Sequence, residues 1–161
     1  MAVFLCCVIA TQAQNTVANL NETQLKEAKA AEKIFLEHAE AGLLIIEKAA
    51  QDIGIKGVAI MVFIPGDSTM SWVSKMKVEG SLTRDNLNFL AIANSKASEM
   101  ASTLNNSGSK LRPLMHGELG YPGGVIKKIK AGYLLAAFSG GPSELDVVVA
   151  TKGLEELFKY F

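Results

Sequence analysis

The sequence predicts an α+β protein built on a mainly antiparallel sheet flanked by helices. Three observations carry this. Val58–Ile64 and Tyr133–Phe138 are continuous apolar runs, as strands covered on both faces require. Turns at Pro65-Gly66-Asp67 and Lys130-Ala131-Gly132 are short enough to make hairpins, so neighbouring strands run antiparallel. Stretches with apolar residues at helical spacing stand before, between and after the strands, where they can cover the sheet.

The elements follow in order. Asn21 with Gln24 can cap a helix, and Leu25, Ala28, Ala31, Phe35, Ala39, Gly42, Ile46, Ala49 and Ile53 then recur at helical spacing as far as Gly54, a C-terminal stop. The stretch reads as one long helix or two consecutive ones, with Gly42 as a kink or break. His38 lies on or beside the apolar stripe, either as a core-border histidine or as a ligand. Val58–Ile64 is a central strand and Met70–Lys77 a partly alternating one, with Trp72 in the core, at a subunit contact or beneath a ligand. Thr83 or Asp85 can cap the next helix, whose apolar face (Leu87, Leu90, Ala91, Ala93, Ala97, Met100, Ala101, Leu104) is rich in small residues suited to close packing. After the two strands that meet at the Lys130–Gly132 turn, Ser139-Gly140-Gly141 leads to a last helix over Ser143–Tyr160, with Ser143 and Asp146 resembling a capping box.

At 161 residues, nearly half of them hydrophobic, the chain suits one domain with a proper core. Zero formal net charge argues against nucleic acid as the main partner. Ala2–Ala10 is apolar but too short to span a bilayer, and reads as the core of a secretory signal. Residues 1–13 are then a signal-peptide remnant and 14–161 the domain, placing the protein in the periplasm or outside the cell; it is cytoplasmic if the run is instead a buried strand. Both cysteines, Cys6 and Cys7, fall in the run, so the mature chain has no disulfide, thiolate metal site or cysteine nucleophile.

Chemistry is thinner. The Gly140–Gly141 turn before a helix can bind phosphate, but Glu144 and Asp146 in the first turn would repel an anion, and a corner that needs glycine explains it more simply. Lys110–Pro122 is the least regular section and the place to look for binding groups. Within it, His116 with Glu118 can help hold a metal, and Met115, His116 or Tyr121 can reach haem iron. Leu111–Met115 is an alternative short edge strand.

The run Gly123-Gly124-Val125 followed by Ser139-Gly140-Gly141-x-x-Glu144-x-Asp146-x-x-x-Ala150 resembles the GlcG/HbpS family of haem-binding and haem-degrading proteins, which includes the C-terminal domain of PduO-type proteins. Met76 and Lys96-Ala97 fit the same pattern, and the resemblance runs from about Leu25 onward. It departs at Ile64, where the family has Asp, at Lys77, where an acidic residue is common, and at Ile126, where Pro is frequent. The resemblance implies a five-stranded profilin-like sheet and a homo-oligomer, often an octamer. It also implies a small-ligand binding protein, with haem as the cofactor. His116 and Tyr121 are the expected contacts, with Gly123, Gly124, Ser139, Gly140 and Gly141 shaping the pocket. Two other readings stand beside it: a non-catalytic accessory or structural oligomer, and a haem-degrading enzyme. The last would need a bound metal, because the mature chain offers no evident nucleophile–base pair.

Overall fold

A computed structural model describes residues 21–161. The apolar run and the cysteines assigned to a signal lie outside the described residues. Helix α1 spans Glu22–Asp52. It opens on the expected capping box: the Asn21 side chain accepts the Gln24 N–H at 2.9 Å, and the Gln24 side chain accepts the Asn21 N–H at 3.0 Å. It closes on Gly54 at φ 71°, where the Gly54 N–H donates to the Gln51 carbonyl and the Ile55 N–H to the Ala50 carbonyl. These two bonds satisfy carbonyls that a helix end leaves open.

The chain continues through strands β1 (Gly57–Pro65), β2 (Val73–Glu79), β3 (Thr83–Arg84) and β4 (Leu87–Asn88), helix α2 (Phe89–Thr103), strands β5 (Gly124–Ile129) and β6 (Gly132–Ser139), and helix α3 (Ser143–Phe158). The main sheet has order β2-β1-β6-β5 and is antiparallel throughout. Residues alternate between its faces. Ala59, Met61 and Phe63 of β1, with Leu134, Ala136 and Phe138 of β6, pack with Phe35, Leu43 and Ile46 of α1 and Val149, Leu154 and Leu157 of α3. Val58, Ile60, Val62 and Ile64, with Leu135 and Ala137, pack with Phe89, Ala93, Ala97 and Met100 of α2. The uninterrupted apolar runs therefore serve two cores, one on each side of the sheet. Among the described residues no helix is long and apolar enough to cross a membrane.

The five-stranded profilin-like sheet is not found. Four strands form the main sheet, and β3 with β4 forms a separate two-stranded ladder of two residues each. Leu111–Met115 adds no strand because its backbone is otherwise committed. Pro113 has no N–H to give a ladder, the Pro113 carbonyl accepts from Arg112, and the Met115 N–H donates to the Glu118 side chain.

Gly42 does not break α1, which runs through it. Its role is spatial. A Cβ on Gly42 would lie 2.9 Å from the Gly153 carbonyl oxygen, and one on Gly153 would lie 2.8 Å from the Gly42 carbonyl oxygen and 2.3 Å from Ile46 Cγ1. The two glycines let α1 and α3 touch backbone to backbone. On β2, Lys77 turns to α1 and meets Glu40 at 3.3 Å and Glu47 at 3.6 Å. Met76 and Val78 project to the opposite side and remain exposed.

The helix contact gives a test of opposite sign to intrinsic preference. Gly to Ala within a helix ordinarily gains about 1 kcal/mol. At Gly153, overpacking reverses the sign: Gly153→Ala is expected to destabilise by about 1–3 kcal/mol, read from the urea midpoint. An unchanged or raised midpoint would remove the close contact from the account.

Candidate functional site

The candidate site forms at one end of the sheet, where β6 turns into α3 beside the start of β1. The turn is set by backbone contact: a Cβ on Gly140 would fall 2.0 Å from the Lys56 carbonyl oxygen and 2.6 Å from Gly57 Cα. No side chain fits there. Gly123 is empty for another reason. It has φ 128°, and a Cβ on it would sit 2.3 Å from Lys96 Nζ.

Lys96 is carried by α2 into the interior and is 2 % exposed. Its Nζ donates to the Phe138 carbonyl oxygen at 2.6 Å and to Asp146 Oδ2 at 2.8 Å. Asp146, from the first turn of α3, is 3 % exposed, and its Oδ1 accepts the Gly141 N–H at 3.0 Å. Burial lowers the Lys96 pKa, with the Asp146 charge and hydrogen bond opposing it. Burial raises that of Asp146, with Lys96 and the Gly141 and Gly140 N–H groups opposing it.

This arrangement replaces the expected capping box. Pro142 caps α3 without a side-chain bond, and Asp146 reaches back to Gly141 instead of pairing with Ser143. A carboxylate of the protein thus occupies the positive end of α3. The Gly141 N–H that a phosphate would use is taken.

Two adjoining cavities open at this corner. The larger, about 710 Å³, is lined by Gly54, Ile55, Lys56, Gly80, Ser81, Arg84, Phe89, Gly140, Gly141 and Pro142. The smaller, about 310 Å³, shares Arg84, Phe89, Gly140, Gly141 and Pro142 and adds Leu87, Ile92, Lys96, Tyr121, Ser139, Ser143 and Asp146. Together they make a cleft in the size range of small-molecule sites. The β3–β4 hairpin delivers Arg84, whose guanidinium carbon lies 5.4 Å from the Phe89 ring centroid. The cleft holds three cations (Lys56, Arg84, Lys96) against one carboxylate, Asp146.

The structure brings Tyr121, Ser139, Gly140 and Gly141 to the cleft. Gly124 lies behind it, its N–H donating to Ser107 Oγ at 2.9 Å, and a Cβ there would meet Met100 Cε at 2.6 Å. With Gly123, which makes room for Lys96, it supports the cleft and does not line it. His116 is exposed on its loop and lines neither cavity. Lys56, Arg84 and Phe89 were not singled out from the sequence; the one signal was an arginine in the turn-like Thr83-Arg84-Asp85-Asn86, one of two in the chain. The departing positions lie elsewhere: Ile64 is buried under α2, Lys77 pairs with α1, and Ile126 sits opposite Leu135 in the sheet.

The loop before β5 is organised by Arg112 and Glu118. Arg112 donates from both arms, to Glu118 Oε1 at 2.7 Å and Oε2 at 2.8 Å, and also to Ser102 Oγ. Glu118 is therefore engaged by a guanidinium and is not paired with His116. Among the described residues no group of three or more His, Cys, Asp or Glu side chains could hold a metal ion. Comparison with models of known families, with curated proteins and with solved structures returns no match to this chain.

The loop clamp sets a pH dependence. The Arg112 hydrogen bond, followed by that from the Met115 N–H, holds the Glu118 carboxyl down to about 2 from an ordinary 4.5. A depressed folded-state value means the unfolded chain takes up the proton first. The contribution is therefore complete above pH 4.5 and is lost as pH falls toward 2. Stability measured by denaturant across that window is expected to fall less steeply in Glu118→Gln than in the parent chain. Superimposable slopes would contradict the clamp.

Proposed function

We propose that this chain is a binding protein for a small ligand of the haem type, held in the cleft between the β3–β4 hairpin and the Gly140–Gly141 corner. The observation that carries the reading is the lining: apolar walls from Ile55, Phe89, Ile92 and Pro142 beside cations that one committed carboxylate does not balance. The resemblance of Gly123–Val125 and Ser139–Ala150 to GlcG/HbpS proteins supports it, and the apolar run at residues 2–10 supports a periplasmic or secreted setting. Haem would find one iron-ligating type of side chain at the cleft, Tyr121. Bound there, haem would supply redox and ligand-exchange chemistry, while this chain's residues enclose and orient it. A binding role is favoured over a catalytic one because the cleft's one carboxylate is committed to a buried ion pair with Lys96 and to the Gly141 N–H.

A second reading, an accessory homo-oligomer, is favoured by one feature. The side of β2 away from α1 leaves Met76 and Val78 exposed, and Met70 and Trp72 are exposed just before it. It is compatible with ligand binding by each subunit.

Haemin titration followed by visible absorbance tests the reading. A shifted Soret band is expected, weakened by Tyr121→Phe and unaltered by His116→Ala. No shifted band at micromolar haemin, or a band lost with His116→Ala alone, would contradict it. Native mass spectrometry of the same sample reads the subunit number and tests the second reading.

A further inference from the structure

We propose that the cleft selects its ligand by carboxylate groups, through Arg84 and Lys56, so that the ligand class is an apolar acid with two carboxylates. The inference rests on the cleft being a binding site, as argued above, and adds what the site recognises.

The chain has two arginines, and they are used differently. The fork of Arg112 is closed by Glu118, Ser102 and the Pro113 carbonyl. Arg84 lies over the Phe89 ring and lines both cavities, and among the described residues no carboxylate pairs with it. Contact with an aromatic face steadies a guanidinium by its charge and leaves its N–H edge for a planar, two-oxygen partner. Lys56 lines the larger cavity and likewise has no acidic partner among the described residues. The third cation, Lys96, is neutralised by Asp146. The surplus positive charge of the cleft thus sits on two separate side chains at its larger end.

Carboxylate is favoured over phosphate by the state of the backbone. Phosphate sites at helix starts use free N–H groups, and here the Gly141 N–H is given to Asp146. A phosphate there would also face the Asp146 carboxylate, whereas the planar fork of Arg84 matches the two oxygens of a carboxylate. The smaller cavity, with Leu87, Ile92 and Tyr121 on its wall, suits the apolar body.

Metal-free protoporphyrin IX and its dimethyl ester separate carboxylate recognition from binding itself, since they share a ring and differ in the two acids. Binding is read by porphyrin fluorescence in one buffer and co-solvent. The parent chain is expected to bind the diacid at least about tenfold more tightly than the ester, as charge-assisted hydrogen bonds imply. Arg84→Gln and Lys56→Gln should each weaken the diacid by about tenfold and leave the ester unchanged. Lys152→Gln, an exposed charge on α3 outside the cleft, should leave both unchanged. Equal affinity for diacid and ester, or no loss in Arg84→Gln, would overturn carboxylate recognition and leave the binding role standing. Binding of neither compound by the parent chain would overturn both.

Discussion

The buried ion pair between Lys96 and Asp146 is the constraint on which the site depends. It joins three elements that are distant in sequence: α2 supplies the ammonium, α3 the carboxylate, and the end of β6 the carbonyl that shares the proton donors. Placing two charges in an apolar interior is costly, and the mutual attraction offsets that cost only with good geometry and further hydrogen bonds. Both conditions are met here, since the Asp146 oxygen facing away from Lys96 accepts the Gly141 N–H. The pair therefore fixes where α3 begins and how the chain leaves the sheet. It also places a carboxylate at the start of α3, beside the cleft.

Glycine shapes the surroundings by what it omits. At Gly123 the missing side chain is the space the lysine head group occupies. At Gly140 it is the space taken by the backbone of Lys56 and Gly57. At Gly42 and Gly153 it is the space between two helices. A doubled glycine next to a helix invites a ligand-binding explanation, but here the protein's own atoms account for the vacant Cβ positions at Gly123, Gly124 and Gly140. The groups that line the cleft are instead the side chains around that frame, chiefly Arg84, Phe89 and Lys56.

What could be read from the sequence was local. The Asn21–Gln24 capping box, the Gly54 stop, the apolar runs of β1 and β6 and the turn between β5 and β6 all depend on neighbours a few residues away, and each appears as read. What could not be read depends on distant partners. Gly42 has the same signature whether it bends a helix or admits another, and only Gly153 decides. Leu111–Met115 is short and partly apolar, as an edge strand can be, but Arg112 within it bonds Glu118 beyond it and the Met115 N–H goes to the same carboxylate, drawing the backbone into a loop. The two-residue strands β3 and β4 are too short for alternation to show. The glycine corner was visible as a site of interest, whereas nothing near Lys56 or Arg84 in the sequence links the two, and only the fold places them on one cavity. His116 drew attention by residue type alone, and its position on an exposed loop carries it away from the cleft.

If the ion pair holds the corner, its two members must be energetically inseparable. A double-mutant cycle on Lys96→Met and Asp146→Leu, followed by urea denaturation, measures this directly. Each single replacement strands a buried charge and is expected to cost about 3–5 kcal/mol, while the double replacement costs far less than the sum. Single losses below about 1 kcal/mol that simply add would show two independent side chains and contradict the account.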